Sequence, residues 1–505
     1  MVQKMNKMKY FVMLFVLLFI CAANAQNSIE GIVFIDGNKN GLFDDKETKL
    51  PNVLVSNGRD VVCTNEKGEY KISTIKDNLI FVIKPTGYIS KVDSKNKVQF
   101  YTRALSDKRN QKHNFPLYQN VENDDFNVAL LGDVQVDVMD DIYHVGKLVT
   151  EELADTKPDF IVPLGDLSFD NLEIFQPLSE TLGLIGSPIF YVIGNHDLDF
   201  RQETLERRDE SFEKIFGPSY YAFEYGHELF LVLNNIYPKE NRHYEGRIDE
   251  NQLTFIKNLI QYKSKEHESI KIFMHIPLEE VVNRDELIDS LQSFKDVFIA
   301  SGHTHTQYHR YHEREGLPAI HELISGAVCG SWWQGPHDIR GIPFAMMDDG
   351  TPKGYWLMQM NDSEHNLRYK VSGADANKQM NIWVPETNEW DTALNKLNHS
   401  YVYANVFAAD DDTNVMISFQ EDEWLPMQKY EGVSPELIRF YTLQELGRYD
   451  GQKLSKNPKP SAVSKHLWRI EIPDYLEEKP YLIKIQAKNE KLRLNVKGNR
   501  VLWVR

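Results

Sequence analysis

"FNVALLGDVQ" (residues 126–135) passes from a run of apolar residues straight into Gly132, Asp133 and Gln135. A buried strand that stops on a glycine and a carboxylate delivers that carboxylate to the end of a sheet. The same arrangement returns four times downstream, in "PDFIVPLGDLSFDN" (158–171), "SPIFYVIGNHD" (187–197), "SIKIFMHIP" (269–277) and "DVFIASGHTHT" (296–306). In open α/β sheets ligands bind beyond the carboxyl ends of strands, so the five polar clusters are expected to converge on one crevice. Each cluster alone is a weak signal, because an isolated Gly-Asp is more often a turn and an isolated histidine more often a satisfied, partly buried side chain. Together they supply Asp133, Gln135, Asp166, Asn195, His196, Asp197, His275, His303 and His305. Asp, Asn and His donors without cysteine suit Mn²⁺, Fe or Zn²⁺, and the set is large enough for two ions that share a carboxylate.

Around these motifs, residues 125–355 alternate strand-like runs with amphipathic stretches such as "DDIYHVGKLVTEELADT" and "DENQLTFIKNLIQYKSKEHES", the pattern of an α/β layered domain. Residues 27–120 read instead as short β-branched runs broken by Gly, Asn and Asp, which predicts a small β-sandwich. A second, mainly β domain is expected over 356–505. In "DGNKNGLFDDKE" (36–47) the acids and amides Asp36, Asn38, Asn40, Asp44 and Glu47 fall at alternating inward positions, with Gly41 at the sharp turn. That is the twelve-residue spacing of a calcium loop, here following a strand rather than a helix, and a structural Ca²⁺ is expected; the competing reading is a solvated Asn/Gly turn.

The 505 residues exceed what one core organises, and the formal net charge of −17 argues against a nucleic-acid polymer as partner. A small phosphorylated substrate stays compatible with that charge where bound cations reverse the local field. Residues 1–25 combine Lys4, Lys7 and Lys9 with an apolar stretch and end on Ala23-Asn24-Ala25, so they read as a cleaved signal peptide. The apolar stretch is shorter than the roughly 18 residues a membrane span needs. The chain is therefore expected outside the cytoplasm, whether periplasmic, cell-surface or extracellular, with no transmembrane segment in its mature form. Cys63 and Cys329 are expected as packed free thiols.

The order Asp133-Val134-Gln135, Gly165-Asp166, Gly194-Asn195-His196-Asp197, His275 and Gly302-His303-Thr304-His305 resembles the calcineurin-like metallophosphoesterases. Their signature is D-x-H, G-D, G-N-H-D, a lone H and G-H-x-H. Only the first motif departs, with Gln135 where the family has histidine. The resemblance implies a central β-sandwich flanked by helices, and two divalent ions. One would be held by Asp133, Gln135, Asp166 and His305, the other by Asp166, Asn195, His275 and His303. It also implies a phosphate mono- or diester hydrolase working by in-line attack of a metal-bridging hydroxide, with His196 facing the leaving group and Asp197 orienting it. The first domain resembles, in its calcium loop, "KLPNVLVSNG" and "NEKGEYKI", the B-type repeats of bacterial surface adhesins.

Glutamine and histidine are both neutral ligands, so Gln135 leaves the charge balance alone; its oxygen shifts that position toward Mn²⁺ or Mg²⁺ and away from Zn²⁺ or Fe. Beyond the last motif, Trp332 and Trp333 are expected either to wall the crevice or to pack a domain interface, and His337, Asp338 and Arg340 to contact substrate, with a surface ion pair the competing reading for Arg340. The rival function is a surface-associated binding protein with a degenerate metal domain. The retained His196-Asp197 pair separates the two readings, since a scaffold needs no general acid.

Overall fold

The computed structural model describes residues 27–75, 78–105, 110–361, 364–385, 400–420, 423–448 and 463–504. The expected signal peptide over 1–25 lies outside them. The first segment folds around Ser28–Ile35, which pairs in parallel with Phe115–Gln119 and antiparallel with Glu69–Ser73. A second sheet is ordered Val61–Cys63, Leu54–Ser56, Leu79–Ile83, Tyr101–Arg103. This β-domain is not an independent bead on a linker. Phe81 meets Phe255 at 5.7 Å, Phe100 meets Tyr221 at 4.9 Å, and the buried Lys84–Glu122 ion pair at 2.6 Å ties it further. One hydrophobic core runs through both segments.

The central segment is a two-sheet sandwich with helices outside. One sheet is ordered Phe160–Pro163, Asp125–Leu131, Gly354–Asn361, Glu364–Val371; the other Tyr221–Tyr225, Glu228–Val232, Ser269–Phe273, Asp296–Ser301, Leu317–Ser325, Gln307–Arg314. The strands that carry the motifs are buried on both faces, which is why their sequences read as continuous apolar runs rather than alternating ones. Phe160 locks the sheets together, with Phe223 at 5.6 Å and Phe230 at 5.3 Å. Helix Glu250–Lys263 starts where the Asp249 side chain accepts from the amides of Asn251 and Gln252, and it buries Phe255, Ile256 and Leu259 at helical spacing. The expected helix over 140–156 forms, interrupted by a π-turn at Gly146–Thr150.

One expected boundary needs correction. A domain end at 355 would cut through Gly354–Asn361, which pairs antiparallel with Asp125–Leu131 and then with Glu364–Val371. The central sheet therefore continues through Val371, because Trp356, Met358 and Met360 fill its core face. Beyond it, two further four-stranded sheets and helix Pro435–Glu445 form a mainly β segment with its own core of Val402, Ala404, Ile417, Trp468, Ile483 and Leu502.

Candidate metal centre

Four strand ends meet at one edge of the sandwich, together with the run 187–193, which was expected as a strand but forms only isolated bridges. Asp125–Leu131 and Phe160–Pro163 run parallel in one sheet, Ser269–Phe273 and Asp296–Ser301 parallel in the other, and the segment around Ile189 and Val192 bridges to the first. Asp166 Oδ1 lies 3.3 Å from His275 Nε2, which lies 3.1 Å from Asn195 Oδ1 and 3.3 Å from His303 Nδ1. On the other side Asp133 Oδ1 faces His305 Nε2 at 3.6 Å, while Asp133 Oδ2 accepts the His303 amide at 2.8 Å. Two donors each about 2.0–2.2 Å from a shared ion stand roughly 3–3.5 Å apart, so these spacings are those of ligands around cations.

The backbone is strained to achieve this. Asp133, Gln135, Asp166, His303 and His305 all adopt positive φ between 37° and 73°, a region that costs a residue with a side chain about 1–3 kcal/mol. Two glycines admit the close approaches. A Cβ on Gly194 would lie 2.0 Å from the Asp166 amide nitrogen, and one on Gly165, itself at φ +87°, would lie 2.5 Å from His275 Nδ1.

The donor set fits divalent cations on three observations. Asp133 is fully buried, yet its Oδ1 accepts no hydrogen bond. The Nδ1 atoms of His275 and His305 face the carbonyls of Leu164 at 2.8 Å and Gly330 at 2.7 Å, so they donate there; in the neutral ring each Nε2 then carries its lone pair toward a carboxylate. Such a juxtaposition is repulsive unless positive charge lies between. Finally, burial opposes ionisation of Asp166, but His275 first, then His196 and His303, hold it well below the usual carboxylate range. Burial likewise opposes charge on His275, and Asp166 nevertheless pushes it up to about 9. The cluster is arranged to hold positive charge, which a proton on His275 or a cation between the ligands supplies.

His196 stands beside this cluster. Its amide donates to Asp166 Oδ1 at 2.9 Å and its ring stacks on Phe169 at 4.8 Å. Its orienting partner is not Asp197, as the motif implied, but Asp170, whose Oδ1 is 2.8 Å from His196 Nδ1. Asp197 is fully buried and accepts the amides of Leu167, Ser168 and Gly194 at 2.9–3.1 Å, so it pins the two motif loops together rather than the imidazole. Burial alone would lower the His196 pKa, but the bond to Asp170 and the charges of Asp166, Asp170 and Asp197 outweigh it and raise it. Asp170 sits four residues after Asp166 inside a motif already quoted; only the backbone turn shows which acid faces the ring.

Gln135 is buried at the expected place, but its Nε2 donates to Asp166 Oδ2 at 3.3 Å and its Oε1 lies 3.7 Å from Cys329 Sγ. Ligation through Oε1 therefore requires the amide to turn over. The two tryptophans separate. Trp333 is 5% exposed and donates to the Val134 carbonyl at 3.0 Å, a packing role, whereas Trp332 stacks on His305 at 4.6 Å. Asp338 and Arg340 pair with each other at 2.7 Å on an exposed loop, and His337 approaches His144 at 6.4 Å rather than the ligands. The sequence reading missed the hairpin Ile236–Pro238/Tyr244–Gly246. Its Tyr244 ring stands 6.1 Å from His303, and Arg242, at its tip, pairs with Asp170 at 3.0 Å and covers the Phe200 ring at 4.8 Å. "KENRHYEG" carries no motif that announces this. Cys63 and Cys329 are both free thiols. The five calcium-loop side chains hydrogen-bond within the loop: Asp44 Oδ2 accepts from Asn38 and Asn40, Glu47 accepts the amides of Gly37 and Asp44, and Asp36 accepts those of Asn40 and Gly41.

Three family models match consecutive stretches: the N terminal of calcineurin-like phosphoesterase over 37–120, calcineurin-like phosphoesterase over 126–307, and the C terminal of calcineurin-like phosphoesterase over 322–493. Two curated relatives are named serine/threonine-protein phosphatase CPPED1. That from Pongo abelii is 28% identical and that from Homo sapiens 27% identical, each over 204 residues and 37% of this chain. The chain spans 64% of the length of these relatives. A solved dimetal phosphatase from Danio rerio is 14% identical, with a TM-score of 0.37 over 49% of this chain and 96% of its own.

Proposed function

This chain belongs to the calcineurin-like phosphoesterase family, and from that premise we propose that it is an exported, two-metal phosphoric ester hydrolase acting on a small phosphorylated substrate. The observation that carries the proposal is the convergence of Asp133, Asp166, Asn195, His275, His303 and His305 beside a histidine that Asp170 holds ready to donate a proton. When bound, two divalent ions supply an activated water for in-line attack at phosphorus and neutralise the phosphoryl oxygens. The protein's own part is positional. Asp166 lies between the two ligand groups. His196, its Nδ1 engaged by Asp170, keeps Nε2 for the leaving oxygen. Tyr244 and Arg242 close one side of the crevice and the Trp332 face another.

Export rests on the leader-like residues 1–25, and among the described residues no helix is long and apolar enough to cross a membrane. Mn²⁺ is favoured by the oxygen that Gln135 offers once its amide turns over. Replacing Gln135 with His is expected to raise bound zinc relative to manganese in a metal-content measurement, and an unchanged ratio would show that Gln135 is not a ligand.

The binding-protein reading leaves the His196–Asp170 pair without a purpose. The deciding experiment incubates manganese-loaded protein with a chromogenic phosphomonoester and the matching diester. Turnover of either that disappears on chelation is expected; no turnover of these or of a panel of natural phosphoesters would favour binding.

A structural Ca²⁺ in the 36–47 loop belongs to the same proposal. Because the first domain shares a core with the second, the test uses the full chain. Calcium at about 100 times its Kd stabilises a native site by about 2.7 kcal/mol, so selective chelation is expected to lower the first melting transition. A melt indifferent to calcium would leave a hydrogen-bonded turn and nothing more.

A further inference from the structure

We propose that the C-terminal segment is part of the metal centre's construction, with His466 acting as a positioning residue for the ligand His305 through Asp349. The inference rests on the two-metal reading and adds a role for the C-terminal segment. His305 is followed two residues later by Gln307, the first residue of strand Gln307–Arg314. The Gln307 amide donates to Asp349 Oδ2 at 2.8 Å, and the amide of Asp348 donates to the His305 carbonyl at 3.1 Å. The loop around 348–351 thus holds the ligand's backbone from both sides. Asp349 is in turn held from the C-terminal sheet. His466 Nε2 faces Asp349 Oδ2 at 3.1 Å and His466 Nδ1 faces Asn405 Oδ1 at 2.6 Å. The Asp349 carboxylate can only accept, so His466 Nε2 donates to it. Asn405 returns its amide to the Asp349 carbonyl, and Gln307 reaches across to the Phe407 carbonyl at 2.7 Å.

Burial makes the arrangement consequential. The side chains of His466 and Asp349 are 0% and 1% exposed. Water cannot replace either partner, so a broken contact leaves an uncompensated polar group and the loop relaxes. His305 has little tolerance for that, because it is held at φ 52° with its Nδ1 on the Gly330 carbonyl. Strand pairing explains how two distant residues reach one loop: Tyr401–Val406 lies antiparallel to Leu467–Glu471, with Asn405 opposite Leu467, so Asn405 and His466 emerge side by side.

The test measures Mn²⁺ binding calorimetrically on the full chain, with kcat and KM beside it. Loss of a partner behind a metal ligand typically costs about 10–100-fold in affinity. His466→Leu is expected to weaken by that factor the ion shared by Asp133 and His305 and to leave the other ion unchanged. Activity should return at high Mn²⁺ with KM unaltered. His466→Gln, which keeps a donor for Asp349, should recover most of the affinity. A folded His466→Leu protein that binds both ions as the parent does would overturn the inference. Should that variant not fold, Asn405→Ala, which removes the partner of His466 Nδ1 and of the Asp349 carbonyl, carries the test, and binding of both ions as in the parent overturns it equally. A parent protein that binds fewer than two ions would instead count against the two-metal reading.

Discussion

Replacing His196 with Ala is expected to lower kcat by about 10²–10⁴-fold, the usual contribution of a positioned general acid, while leaving metal content at the parent level. The size of the loss should depend on the leaving group. A phenolate with an electron-withdrawing substituent departs without a proton and needs His196 little, whereas an alkoxide needs it fully; the ratio of the two rates separates acid catalysis from damage to the site. Asp170 enters the same prediction. It is the partner at 2.8 Å and the largest of the contacts that raise the His196 pKa against burial. An acid works only while protonated, so activity falls as pH rises through the folded pKa of His196. Asp170→Asn should therefore move the alkaline limb of the kcat profile to lower pH. An equal loss of metal and turnover in His196→Ala would reassign the residue as a ligand.

Asp166→Asn is expected to be the most damaging single change. Removing an outer partner of a metal ligand already costs about 10–100-fold, and Asp166 faces both halves of the cluster directly. Its Oδ1 meets His275 and the His196 amide, and its Oδ2 meets Gln135. The neutral amide also withdraws the charge that pushes His275 up to about 9. The expected result is a fall from two bound ions to fewer than one and a loss of kcat/KM greater than about 100-fold. Retention of two ions would mean that Asp166 is not shared. The fold should survive, since the strands on either side are buried by apolar contacts that Asp166 does not make.

The five motif-bearing runs and their order were legible in the sequence because burial leaves unbroken apolar runs that end on residues with no place in a core; four form strands, while 187–193 makes only isolated bridges. Gly194 and Gly165 were legible for a related reason, as the structure admits no Cβ at either. What misled was adjacency. Asp197 follows His196 in the chain and was expected to face its ring, yet the short helical turn Asn195–Asp197 sends the two side chains to opposite sides. Asp197 then goes inward to three backbone amides, and Asp170 arrives from another strand end. The pair Trp332 and Trp333 divides in the same way, one ring on His305 and the other inside the core.

The sequence by itself determined the fold class, the family and which residues converge on the candidate centre, because those depend on residue type and on which apolar run carries it. Only the tertiary structure decided which acid orients His196, where the central sheet ends, how the Tyr244 hairpin closes the crevice, and that His466 reaches the loop behind His305. Each of those contacts joins residues far apart or differently directed in the chain. Sequence patterns record the period and burial of a segment; they do not record which side chain a neighbouring segment brings to meet it.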